Sequence, residues 1–189
     1  MILQIYTFSV IVKYVHLRNL ACVNNLIEQV MAFEVGSSNV GLSFIGRLCR
    51  EQNWTRAYAG RAFREYKRFM LLTVLAGHPV TPSEEVDHVW HLHLLYTRSY
   101  WHELCRDILG QEIHHGPTLG GNAEKEKFVD WYEKTLLTYE KVFEERPPKD
   151  FWPSSRKRFR NAGDWKTYNA GRHFLMPKFR EILKIFRVC

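Results

Sequence analysis

Within "VDHVWHLHLLYTRSYWHEL", residues 86–104, the chain sets four of its nine histidines beside an aspartate and two tryptophans. A histidine pair follows in "HHGPTLGG", residues 114–121. Imidazole and carboxylate groups ligate divalent metals and move protons near neutral pH. On a helix turning about 100° per residue, Asp87 and His91 share one stripe, continued by Leu94 and Arg98. Trp90 and Trp101 flank that stripe on one side, His88 and Leu95 on the other. His93 sits about 200° round from His91 and points elsewhere. At most Asp87, His88 and His91 can therefore face one site.

An aspartate four residues before a histidine can share a metal ion with it, or can fix its tautomer for acid–base work. A metal needs at least one more ligand. The loop supplies His115, with His114 as the alternate ligand or a supporting neighbour. Glu124 opens the next helix as general base or fourth ligand, and Trp90, His88, Arg98, Pro117 and Thr118 are the expected pocket residues. Two imidazoles, one carboxylate and an open position suit zinc hydrolysis or non-haem iron chemistry, so the expected cofactor is zinc, iron or manganese. The activity that follows is a metal-dependent hydrolase or oxygenase. The plain alternative is a structural Asp–His network inside a non-enzymatic protein-interaction module. A third reading is weak nucleic-acid binding through a basic tail, although no recognisable nucleic-acid module accompanies it. One difficulty stands against the metal: on an unbroken helix, His115 must return about 30 Å to meet His91.

The elements that must position these residues read as helices. "GLSFIGRLCREQ" spaces Leu42, Ile45, Leu48 and Cys49 helically. Thr55 caps "RAYAGRAFREYKRFMLLTVLAG", with Tyr58, Ala62, Phe69 and Leu72 on its apolar side and Gly77 and Pro79 at its end. Thr81 at N-cap, Pro82 and Glu84 form a capping-box start for a third helix running to Leu109, stopped by Gly110. Asn122 caps a fourth helix that closes before Pro147 and Pro148. "FWP", residues 151–153, folds aromatic rings back over the bundle, and residues 177–188 spell a short basic amphipathic helix. The expected fold is all-α: one compact bundle of about five or six helices with a loop-rich C-terminal segment. Its expected organisation is an N-terminal helical extension over 1–36, a helical domain over 37–160 and a basic tail over 161–189.

Composition narrows the field. The chain has 189 residues and a formal net charge of +7, enough length for one domain with a sizeable core. Residues 47–68 carry seven Lys/Arg against two acids, and 149–189 carry eleven against three. Residues 69–148 reverse this, with seven basic and thirteen acidic residues. Cys22, Cys49, Cys105 and Cys189 form no CxxC pair, which argues against a cysteine zinc site; the first three read as buried thiols of a reducing compartment and Cys189 as exposed. The apolar start is interrupted by Gln4, Thr7, Ser9 and Lys13 and lacks the marks of a signal peptide or a membrane span. A cytoplasmic location is expected. His16, His78, His102 and His173 are isolated and read as structural or surface residues, while Glu65 and Arg68 belong to the same cleft or to a mixed charged helix face.

Together, "EQNWTRAYA", "EYKRFM", "HPVTPSEEVDHVWHLHLLYTRSYWHELC", "HHGPTLGG" and "PPKDFWP" resemble the glycine-rich domain-containing protein-like family over about residues 37–160. The resemblance implies interest in Asp87, Trp90, His91, His114, His115, Pro117 and Thr118, and implies no particular reaction. The chain departs from longer members in having no glycine-rich tract.

Overall fold

The computed structural model describes residues 21–36, 41–116 and 120–160. The expected helix at 177–188, His16, His173, Cys189, Pro117, Thr118 and the whole of the basic tail over 161–189 lie outside the described residues. Those described contain seven helices and no strand, so the protein is all-α. They are α1 (its described part 21–32), α2 (Phe44–Gln52), α3 (Arg56–Leu75), α4 (Glu84–Leu94), α5 (Ser99–Leu109), α6 (Asn122–Phe143) and α7 (Ser155–Arg158). A compact unit closes at Arg158.

Helix α3 is the central element because ten of its twenty residues are buried. Ala59, Ala62, Phe63, Tyr66, Phe69, Met70, Leu71 and Leu72 are all buried. Helices α2, α4 and α6 pack against it. Its N-cap is Thr55, as the sequence predicts, whose hydroxyl accepts the Tyr58 amide at 3.2 Å. Lys67 fastens α1 to this core: its ammonium donates to the carbonyls of Met31, at 2.7 Å, and Phe33, at 3.1 Å. Those carbonyls lie in and just after the last turn of α1, where a cation is favoured. Phe151 and Trp152 are buried, covering the bundle as "FWP" suggests.

Several local expectations are corrected. Helix α2 starts only at Phe44, because the Ser43 hydroxyl captures the Gly46 amide and so caps the helix. The cap of α4 is Ser83 rather than Thr81; its hydroxyl accepts the Val86 amide at 3.3 Å. Thr81 does not cap: its amide donates to the Thr135 hydroxyl on α6 at 3.0 Å, and its own hydroxyl is buried without a hydrogen-bond partner among the described residues. Helix α6 takes Gly121 as its cap, at φ 92°, a conformation open to glycine. Cys105 is buried as expected, but Cys22 is exposed and Cys49 half-buried.

The largest correction concerns the third helix, which does not run unbroken from 82 to 109. Helix α4 ends at Leu94, and the Leu95 amide tightens the exit by bonding back three residues to the Leu92 carbonyl at 3.2 Å. After a turn the chain rewinds as α5, a π-helix with five-residue hydrogen bonding. Insertions of this kind occur where packing demands more room than the α-helical ladder gives. Here Ser99 and Tyr100 must both turn inward, toward His93 and Trp90.

Candidate metal centre

Asp87 and His91 stand one turn apart on α4, where the spacing alone sets them side by side. Asp87 Oδ2 lies 3.6 Å from His91 Nδ1. The other oxygen, Oδ1, lies 2.8 Å from His115 Nε2, which arrives from the loop after α5. The two imidazoles touch, with ring centroids 4.5 Å apart. One ligand atom from each of the three residues falls within 4.8 Å of the others. Around a four-coordinate zinc ion with bonds near 2.1 Å, ligand atoms stand about 3.4 Å apart, so small side-chain rotations suffice to close on an ion.

A chain of hydrogen bonds explains how His115 reaches this place. The break after Leu94 removes the 30 Å difficulty, because the chain no longer runs straight away from His91. Gly110 then stops α5 in the left-handed conformation, at φ 69°. Trp90 donates its indole N–H to the Tyr100 hydroxyl at 2.9 Å, and that hydroxyl donates to the Ile113 carbonyl. Tyr100 thus ties the loop to α4 two residues before His115. Burial pushes the Tyr100 phenol well above its usual pKa, so it remains a neutral donor. Trp90 also walls the site, its ring 4.4 Å from His115 in an edge-on contact.

The other expected site residues distribute differently. His114 turns outward, its ring against Trp101 at 5.3 Å and its Nε2 3.3 Å from Glu112. His88 faces Trp54, with ring centroids 6.2 Å apart. Arg98 belongs to a separate cleft on α5. Glu124 sits in the first turn of α6 with its side chain largely covered, 3.5 Å from Lys127 Nζ. Glu65 is neither part of this cleft nor on a solvated face: it is buried, accepting from Tyr139 and from the Trp152 indole, each at 2.9 Å. His93 is a core histidine, bonded through Nδ1 to the Tyr66 hydroxyl at 2.8 Å. Tyr100 was the positioning residue that spacing did not single out; its position ten residues after Trp90 gives no helical-face signal.

Fold and site together define a helical domain presenting two histidines and one carboxylate at a partly open surface. Residues 48–129, less than half of the chain, match a family model described as UCP032817-like, and the span takes in Asp87, His91 and His115. That description names no activity, and nothing in the comparisons supports the glycine-rich naming. Neither the curated proteins nor the solved structures contain a match. No helix among the described residues is long and apolar enough to cross a membrane.

Proposed function

We propose that Asp87, His91 and His115 hold one divalent metal ion in a metal-dependent hydrolase or oxygenase. The observation that carries this reading is the division of one carboxylate between two imidazoles delivered by separate elements. Two nitrogens and one oxygen converge, leaving coordination positions for water and substrate, a set that suits zinc, iron or manganese. The metal would act as a Lewis acid that polarises substrate or activates water. Glu124 is the candidate for proton transfer, and Trp90 shields one side of the ligands. The motif likeness to glycine-rich domain-containing proteins implies interest in Asp87, Trp90, His91, His114, His115, Pro117 and Thr118 alike, and adds no reaction.

Exposure favours this reading over a purely structural Asp–His network. A network serving the core hides its members, whereas the His91 side chain is 55 % exposed and those of Asp87 and His115 are 25 % and 19 % exposed. The deciding experiment is elemental analysis of untagged protein beside His91→Ala and His115→Ala. The expected result is near-stoichiometric metal in the wild type and loss in both variants, which keep their helical circular dichroism. Wild-type protein that takes up no metal after incubation with zinc, iron or manganese would overturn the proposal.

A further inference from the structure

The outer face of α5 carries a cleft of about 490 Å³ lined by Thr97, Arg98, Trp101, His102 and Arg106. Between Arg68 and Lys125 the sequence holds two basic residues against seven acidic ones. Those two are Arg98 and Arg106, both lining this cleft, and no carboxylate lines it with them. The only cations of an acidic stretch are therefore gathered in one concavity.

The hydrogen bonds around the cleft leave it rich in donors. Asp107 holds one edge of Arg106, accepting from Nε at 2.7 Å and from Nη2 at 3.4 Å, and so sets the plane of its guanidinium. Arg106 Nη1 lies 3.0 Å from His102 Nδ1. Since a guanidinium can only donate, Nδ1 accepts and the His102 proton sits on Nε2. Arg98 has no ion-pair partner among the described residues. The cleft thus offers the Arg98 guanidinium, the remaining terminal N–H groups of Arg106, an imidazole N–H and the Thr97 hydroxyl beside the flat wall of Trp101. Guanidinium pairs match the oxygens of a phosphate in geometry as well as charge.

We propose that this cleft binds the phosphate group of a small molecule, with Arg98 and Arg106 as its anchors. A molecule held there lies against Trp101, which packs on His114, the neighbour of His115. The cleft uses none of the three proposed metal ligands, so the two sites stand or fall separately.

The test is calorimetric titration of inorganic phosphate into the full chain, freed of metal by chelation and held at constant ionic strength. Wild type is compared with Arg98→Gln/Arg106→Gln, with Arg156→Gln/Lys157→Gln as a control on another basic surface, and with His91→Ala. The expected result is saturable one-site binding that weakens at least tenfold in the Arg98/Arg106 variant and persists in the other two. Equal affinity in the Arg98/Arg106 variant, with its circular dichroism unchanged, would move the phosphate to other basic residues and overturn the proposal. Absence of saturable binding to wild type would overturn it too. Both arginines are exposed, so their replacement leaves the core intact.

Discussion

Two histidines two positions apart have opposite fates on α4. His91 opens to solvent beside Asp87, whereas His93 is enclosed by Phe33, Phe44, Tyr66 and Tyr100, with Ser99 Oγ 3.3 Å from Nε2. Burial pushes the His93 pKa down to about 3. An unfolded imidazole takes its proton near pH 6.5, while the folded one stays neutral until about 3. Between these values the unfolded state holds the extra proton, so stability is complete above about pH 6.5 and declines as pH falls, by at most about 1.4 kcal/mol per unit from this residue. Urea midpoints measured from pH 7 to 4.5 should fall more steeply for wild type than for His93→Gln. Parallel slopes would show that His93 does not carry this acid sensitivity. The Asp87–His91 pairing was legible because a four-residue spacing is a local fact, and His115 could be nominated from ligand chemistry. The core role of His93 was not, since periodicity says only that it points away from His91. Its partner Tyr66 lies 27 residues upstream.

The turn between α4 and α5 decides whether the candidate site exists at all. Apolar spacing reads the same on one long helix as on an α-helix followed by a π-helix, so the break was not visible in the pattern. The capping of α4 shows the same limit. Both Thr81 and Ser83 are competent caps, and it is the Ser83 hydroxyl that reaches the Val86 amide, while the Thr81 backbone is held by Thr135 on a distant helix. Tyr100 is where this element geometry meets function. Tyr100→Phe removes the hydroxyl that links Trp90 to the Ile113 carbonyl while keeping the ring. Metal affinity, measured by competition with a chromophoric chelator, should fall about 10–100-fold, the usual effect of losing a group that orients a ligand. Unchanged affinity would mean that the loop holds His115 without the tyrosine.

At the scale of the whole molecule, the bundle is closed by a buried carboxylate. Glu65 on α3 receives the Tyr139 hydroxyl from α6 and the Trp152 indole from the segment beyond it. Arg68 adds its guanidinium at 3.3 Å and also pairs with Glu145. Replacing Glu65 with leucine leaves those donors without their acceptor and should cost about 3 kcal/mol, read from denaturant midpoints. A loss below about 1 kcal/mol would show that apolar packing of Phe151 and Trp152 holds the segment unaided. The all-α architecture and the inward turn of "FWP" were legible because helical periodicity and aromatic content are distributed signals. The Glu65 network was not, because its members are 74 and 87 residues apart. That separation has a consequence for synthesis. At about 5–20 residues per second, a ribosome needs roughly 4–17 s to add Trp152 after Glu65. Throughout that interval a nascent α3 carries a carboxylate that it cannot bury without penalty. Until then Arg68 on the same helix, and later Tyr139, are the partners available to it, and the set of donors around Glu65 is complete only once the last aromatic pair has been made.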